Sequence, residues 1–216
     1  MNRIIALGCS HTAIDGYINY FNKMYNLEIE NFAESAGSNQ LQLHKLNNAY
    51  IKNKIDNSTI LLWQITSPVR NHIIIPDKNS KCSGTPREGL YNWTPIEIEL
   101  GDHLGCALLA NHPDCKITNP YDHVVNLQNI IIGIVQWSYI VKKIIVYFGW
   151  EFLSNSEYES SIKILEQRTN ITILPKDQSI VSWCRNQNLE FADDFQHPLP
   201  QSYIKWGEAN LIKYLK

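Results

Sequence analysis

The sequence predicts an α/β fold, a flavodoxin-like three-layer α/β/α sandwich with about five parallel strands. Short apolar runs and segments with helical spacing alternate through the first 65 residues in the order β-α-β-α-β, which favours a mostly parallel sheet. Two more apolar runs follow a long helical pattern in the second half of the chain. A length of 216 residues suits one α/β domain, so we predict a single domain over residues 1–216.

The individual elements follow from periodicity and from capping residues. Residues 3–7 form an apolar run that ends at Gly8, which is typical of a buried strand. Ser38 or Asn39 is a candidate N-cap for the second helix, because either side chain can accept a hydrogen bond from a free backbone N–H. The predicted strands are residues 3–7, 27–33, 59–65, 143–149 and 170–174, and the predicted helices are residues 12–25, 39–52, 122–142, 160–168, 179–186 and 201–215.

Residues 67–119 break the alternation of strands and helices. They contain five of the nine prolines and show no long periodic run. We therefore expect an irregular, loop-rich insertion at about residues 67–119, of the kind that often shapes an active site.

Charge and hydropathy argue against two classes of partner. Lys and Arg number 19 against 21 Asp and Glu, a net charge of −2, which argues against general coating of DNA or RNA. The most apolar stretch, residues 124–141, is interrupted by polar residues and favours a buried helix over a membrane span. No signal peptide is expected at the N-terminus. Five cysteines at irregular spacing favour a reducing, cytoplasmic location over a disulfide framework.

Two segments at opposite ends of the chain carry the residue types of a catalytic triad. The first strand ends in the sequence Gly-Cys-Ser-His-Thr, so Ser10 lies at a strand-to-helix turn, where open α/β sheets bind their ligands. Near the C-terminus, Asp194 and His197 are three residues apart and can share one side of a turn. The carboxylate can then orient the imidazole and leave its far nitrogen free for the serine hydroxyl. No Gly-x-Ser-x-Gly elbow occurs, so the pattern differs from that of α/β-hydrolases.

Polar segments also follow the second and third predicted strands, at residues 31–39 and 63–70. Acyl transfer needs hydrogen-bond donors directed at the developing oxyanion, and loss of one donor typically raises the barrier by about 3–4 kcal/mol. A glycine amide after the second strand and a polar side chain after the third would supply such donors beside the Ser10 amide.

With these four segments in this order, the chain resembles the SGNH (GDSL-like) hydrolase superfamily, in a divergent bacterial or phage-type branch. The resemblance implies that Ser10 is the nucleophile and His197 the general base. It further implies that Asp194 orients His197 and that the Gly37 amide is an oxyanion donor. The matching blocks are Gly8-Cys9-Ser10, Asn31 with Gly37, and Asp194 with His197.

The third block departs from the family pattern. The family has Gly-x-Asn-Asp where this chain has the sequence Gln-Ile-Thr-Ser at residues 64–67. Thr66 falls where the family's Asn lies and is our first candidate for the third oxyanion donor. Asn39 is the second candidate.

These residues and the resemblance predict a serine esterase that hydrolyses an acyl ester and needs no cofactor. The favoured substrate carries a short acyl group, such as an O-acetyl group on a carbohydrate. Trp63 is a candidate platform for a sugar ring, and Arg70 could bind an anionic group of the substrate. An acyltransferase with the same triad is an alternative, and a catalytically degenerate binding module is another, which the missing Asn would favour. The oligomeric state is not predicted.

Other patterns compete with this interpretation. Cys9 could be the nucleophile, since a thiolate near a helix N-terminus is activated, and Asp193 competes with Asp194 as the orienting carboxylate. Four potential ligands lie close enough in sequence to hold zinc, but we favour buried cysteines and surface histidines, so we predict no metal. These four are His103, Cys106, His112 and Cys115.

Overall fold

A computed structural model describes most of the chain. The described residues are 3–13, 16–35, 37–66, 72–76, 93–100, 103–110, 120–149, 156–194 and 196–215, with the backbone alone described at 72–76, 93–100, 103–110, 120–124 and 156–158.

The described residues form eight strands, seven α-helices and two 3₁₀ turns. The strands are β1 (Ile4–Leu7), β2 (Ile29–Asn31), β3 (Ile60–Ile65), β4 (His72–Pro76), β5 (Trp93–Leu100), β6 (His103–Ala110), β7 (Lys143–Phe148) and β8 (Ile171–Ile173). The α-helices are α1 (Ser10–Ala13), α2 (Tyr17–Met24), α3 (Asn39–Ile51), α4 (Pro120–Trp137), α5 (Ser156–Glu166), α6 (Ile180–Asn186) and α7 (Pro200–Asn210). Two 3₁₀ turns are Lys176–Gln178 and Ile212–Tyr214.

The central sheet has five parallel strands in the order β2-β1-β3-β7-β8. When only these five strands are counted, the order is 2-1-3-4-5, which is the flavodoxin-like arrangement. The predicted fold class is confirmed. In such a sheet β2 is added on one side of β1 and all later strands on the other side. The loops that follow β1 and β3 therefore diverge and leave a crevice suited to a ligand.

Apolar side chains cover both faces of the central sheet, because alternate residues of a strand point to opposite sides. One face of β3 contributes Leu61, Trp63 and Ile65 to a core that packs against α3, α4 and α5. The other face contributes Ile60 and Leu62 to a core that packs against α2, α6 and α7. The sheet is therefore the middle layer of three.

The region between β3 and α4 contains a second, antiparallel sheet in the order β4-β6-β5. This differs from the irregular segment expected from its prolines. Pro76 and Pro95 lie in β4 and β5, the two outer strands, where a missing backbone N–H is tolerated. The middle strand β6 contains no proline. Two of the five prolines in this region therefore lie in edge strands.

Helix boundaries differ from the periodicity in several helices: the helix expected at residues 122–142 is Pro120–Trp137, and the one expected at residues 160–168 is Ser156–Glu166. The single helix expected at residues 12–25 consists of α1 and α2, and the last expected helix ends at Asn210 before a 3₁₀ turn. Ser38 is the N-cap of α3, and its hydroxyl accepts a hydrogen bond from the N–H of Leu41 at 3.2 Å. Among the described helices, none combines the length and apolar content needed to cross a bilayer.

Candidate active site

The candidate nucleophile lies at the crevice between β1 and β3. Ser10 is the first residue of α1 and follows β1 after two residues, so the strand and the helix together fix its backbone. Ser10 is 6% exposed. Cys9 beside it is fully buried, and its Sγ lies 3.2 Å from the Nε2 of Gln64. The serine is thus the more exposed of the two candidate nucleophiles.

A hydrogen-bonded relay joins the two ends of the chain. The Oγ of Ser10 lies 2.8 Å from the Nε2 of His197. On the other side of the ring, the Nδ1 of His197 lies 2.5 Å from Oδ2 of Asp194. The structure therefore brings these three predicted site residues together across 187 positions of sequence.

Backbone donors hold Asp194 in its charged form. Its Oδ1 accepts hydrogen bonds from the backbone N–H groups of His197 and Gln196, both at 2.9 Å. These two bonds, followed by the bond to the His197 side chain, lower the pKa of Asp194 to about 2. An ionised carboxylate only accepts hydrogen bonds, so Nδ1 of His197 carries the proton. In the neutral ring, Nε2 is then the acceptor that faces the Ser10 hydroxyl.

The loop that carries Asp194 and His197 is closed by backbone hydrogen bonds. The N–H of Ala192 donates to the carbonyl of His197 at 2.8 Å, and Phe191 pairs with Pro198 in an isolated antiparallel bridge. These contacts hold the loop ends together, so the imidazole is presented from a short, fixed turn.

His11 is part of the site, although the sequence analysis did not identify it. Its ring stacks on the ring of His197, with centroids 4.9 Å apart and an angle of 29° between the planes. Its Nδ1 lies 2.7 Å from the phenol oxygen of Tyr203, on α7. His11 is 1% exposed and Tyr203 is fully buried. The only sequence signal was that His11 follows Ser10 directly.

The segment after β2 lies against the nucleophile loop. A Cβ placed on Gly37 would lie 2.9 Å from the carbonyl oxygen of Gly8, so only a glycine allows this close approach. The N–H of Gly37 donates a hydrogen bond to the carbonyl of Glu34 at 2.9 Å. The predicted oxyanion donor is therefore next to the site, with its N–H directed at a neighbouring carbonyl.

Asn39 and Thr66, the two candidates for a third donor, bind each other. The Oδ1 of Asn39 accepts a hydrogen bond from the N–H of Thr66 at 2.8 Å, and its Nδ2 donates to the carbonyl of Thr66 at 3.0 Å. The Oγ1 of Thr66 is buried and has no hydrogen-bond partner among the described residues. The amide of Asn39 thus holds the end of β3, and the hydroxyl of Thr66 is available for another partner.

The predicted role of Trp63 as a platform for a sugar ring is wrong. Its side chain is 0% exposed and belongs to the core between the sheet and helices α3 and α4. It lies within β3 on the same face as Leu61 and Ile65, which packs against the helices. Arg70 lies outside the described residues. The side chains of the four candidate zinc ligands also lie outside the described part of the chain.

No protein-family model and no curated protein matches this sequence. Solved structures that are similar along nearly their whole length include the following three. The acetylxylan esterase Axe2 from Geobacillus stearothermophilus is 14% identical with a TM-score of 0.53, covering 96% of this chain and 91% of its own. A member of the lipolytic G-D-S-L family from Veillonella parvula is 12% identical with a TM-score of 0.53, covering 98% of each chain. A proposed SGNH hydrolase from Slackia heliotrinireducens is 11% identical with a TM-score of 0.53, covering 100% of this chain and 99% of its own. At these identities the likeness concerns the fold, and this chain has the fold of the SGNH hydrolases.

Proposed function

We propose that this protein is a serine esterase that uses Ser10, His197 and Asp194 to hydrolyse a short-chain acyl ester. The observation that carries the proposal is the distance of 2.8 Å between the Oγ of Ser10 and the Nε2 of His197. The opposite nitrogen of the same ring faces an ionised carboxylate. This arrangement matches the requirements of nucleophilic catalysis by a serine.

The reaction proceeds in two stages. In the first, Nε2 of His197 takes the proton of Ser10 as Oγ attacks the ester carbonyl carbon and the carbonyl oxygen becomes an oxyanion. The intermediate collapses, the alcohol leaves with the proton from Nε2, and an acyl-Ser10 remains. In the second stage, Nε2 takes a proton from water, the hydroxide attacks the acyl carbon, and Ser10 leaves with that proton.

The oxyanion requires donors at the end of the crevice. The N–H of Ser10 stands at the first position of α1, where no intrahelical acceptor exists. In our proposal the N–H of Gly37 turns from the carbonyl of Glu34 to the oxyanion when substrate binds. The Oγ1 of Thr66 supplies the third bond, because the amide of Asn39 is occupied by the backbone of Thr66. Each such donor is typically worth about 3–4 kcal/mol of the barrier.

The proposed substrate is an O-acetyl ester of a carbohydrate. One structurally similar protein is described as an acetylxylan esterase, which supports a short acyl group on a sugar. The same triad could transfer the acyl group to another alcohol, because the acyl-Ser10 intermediate accepts any hydroxyl that replaces water. Acetyl release from p-nitrophenyl acetate with and without candidate sugar acceptors separates these two activities.

Covalent labelling with a fluorophosphonate probe tests the proposal. We expect stoichiometric labelling of the wild-type protein and none of the Ser10→Ala variant. The control is Ser138→Ala, which removes a buried hydroxyl that donates to the carbonyl of Val135 and lies at the other end of the parallel strands. We also expect His197→Ala to lower turnover about 10²-fold or more. A wild-type protein that takes no label would overturn the proposal and favour a binding module.

A further inference from the structure

The side chain of Gln64 is a buried polar group that the proposed mechanism does not use. Gln64 lies on β3, where it pairs with Tyr147 of β7, and it is 0% exposed. A buried amide group destabilises the fold unless its polar atoms are hydrogen-bonded. The partners of this side chain therefore indicate why a glutamine occupies the middle of the sheet.

All the hydrogen bonds described for the Gln64 side chain go to the turn that carries Ser10. Its Oε1 accepts from the N–H of Cys9 at 3.1 Å and from the hydroxyl of Thr12 at 2.8 Å. Its Nε2 donates to the Sγ of Cys9 at 3.2 Å. Ser10 lies between Cys9 and Thr12 in the chain, so a single amide group holds both flanks of the nucleophile.

Thr12 connects this amide to two buried phenols. Its Oγ1 lies 3.0 Å from the phenol oxygen of Tyr17 and 2.9 Å from that of Tyr147, and the two phenol oxygens are 2.8 Å apart. Burial raises the pKa of both phenols, so both remain neutral. Because Thr12 donates its proton to Gln64, its oxygen can accept from a phenol. The start of α1 is thus tied to β3, α2 and β7.

Two glycines leave the space that the Gln64 amide occupies. A Cβ placed on Gly8 would lie 2.4 Å from Oε1 of Gln64, and a Cβ placed on Gly149 would lie 2.3 Å from its Nε2. Both distances are far shorter than any tolerated contact. The glycines that directly follow β1 and β7, the strands on either side of β3, therefore leave room for the Gln64 amide in the observed conformation.

We propose that Gln64 is the positioning residue of the nucleophile: its amide fixes the turn from Cys9 to Thr12 so that the Ser10 hydroxyl meets Nε2 of His197. Gln64 does not touch the reacting atoms and acts through Cys9 and Thr12. This inference rests on the proposed esterase function, since it assigns a residue to the same site. It adds a side chain from β3 to the groups that support the site.

The second-order rate constant of fluorophosphonate labelling tests this inference. The rate constant reports how fast Ser10 reacts in folded molecules, whereas the final extent of labelling reports how many molecules are folded. The test variant is Gln64→Met, which keeps the approximate volume and removes the acceptor and the donor. The matched control is Asn210→Leu, which removes another buried amide whose Nδ2 donates only to the carbonyl of Trp206 in the described structure. Thermal unfolding of both variants is measured in parallel.

We expect Gln64→Met to label at least about 10-fold more slowly than wild type, and Asn210→Leu to label at the wild-type rate even where its melting temperature falls. Equal rates for Gln64→Met and wild type would overturn the inference while leaving the esterase proposal intact, whereas an unlabelled wild type would overturn the esterase proposal itself. If Gln64→Met does not fold, Thr12→Val decides, since it removes one of the two donors to Oε1 and preserves shape. A rate for Thr12→Val below wild type supports the inference, and an unchanged rate overturns it.

Discussion

The ring of His11 stacks on the ring of His197 at a centroid distance of 4.9 Å, so the residue next to the proposed nucleophile packs against the proposed general base. His11 is itself held by the phenol of Tyr203, which lies six residues after His197 in the chain. The contact therefore joins α1 to the C-terminal segment a second time, beside the hydrogen bond between Ser10 and His197. A ring packed on one face of the imidazole limits its rotation away from the serine.

Removal of the His11 ring should loosen the general base. We expect His11→Ala to lower kcat/KM for p-nitrophenyl acetate about 10-fold or more, because a void on one face lets the His197 ring turn. His11→Phe keeps a ring in the same place and should retain more activity than His11→Ala. The comparison variant Tyr203→Phe removes only the phenol oxygen and leaves both rings. Equal activity of His11→Ala and wild type would show that the stacked ring has no part in orienting His197.

Replacing the Asp194 carboxylate with a neutral amide should favour the tautomer of His197 that cannot act as a base toward Ser10. In Asp194→Asn an amide N–H can face Nδ1 of His197, and this favours the ring form that carries its proton on Nε2 and cannot accept the Ser10 proton. We expect kcat to fall about 10²- to 10⁴-fold, measured by ester hydrolysis at neutral pH. The matched control is Asp193→Asn, one residue earlier and exposed. If Asp193→Asn were the damaging change and Asp194→Asn harmless, the carboxylate assignment would be reversed.

The lowered pKa of Asp194 predicts a pH dependence of stability. Its folded-state pKa of about 2 lies below the ordinary value of 3.8. Its contribution is therefore fully present above about pH 4 and is lost as the pH falls through 3.8 towards 2. We expect the difference in free energy of unfolding between wild type and Asp194→Asn to shrink over this window, as measured by urea denaturation. A difference that stayed constant from pH 5 to pH 2 would contradict the charge of the folded-state carboxylate.

Substitutions at Asn39 and Thr66 should have different effects: one should lower the free energy of unfolding and the other should lower kcat. Asn39→Ala leaves the buried N–H and carbonyl of Thr66 without their partners, so we expect a loss of about 1–3 kcal/mol for each group. Thr66→Val removes a hydroxyl that has no partner among the described residues, so stability should change little. If that hydroxyl binds the oxyanion, kcat should fall about 10-fold or more. Urea denaturation and ester hydrolysis of both variants check this, and a fully active Thr66→Val would remove Thr66 as a donor.

Local patterns were enough to predict the central sheet. Five of the six residues at 60–65 are apolar and occupy both faces of the strand, which is typical of a strand that lies between two layers, as β3 does. The helix expected after Ser38 forms for the reason given by its cap. By contrast, the pairing of β4, β5 and β6 was missed, because prolines in outer strands look like loop residues in the sequence alone.

Trp63 shows the limit of residue type as a guide to a site. A tryptophan near the end of a strand suits both a sugar platform and a hydrophobic core, and the two differ only in which face of the sheet the ring occupies. The pairing of β3 with β1 and β7 fixes that face and places the ring inside the core.

The sequence by itself determined the order of strands and helices and the positions of Ser10, Asp194 and His197 at turns, because periodicity, glycines and capping residues act over a few neighbouring positions. Only the tertiary structure decided that His11 stacks on His197 and that Gln64 hydrogen-bonds the turn that carries Ser10. Those contacts join residues from 52 to about 186 positions apart in sequence, and their distances depend on how the layers pack. A local sequence pattern does not specify such a distance, because the two side chains come into contact only when separate strands and helices pack together.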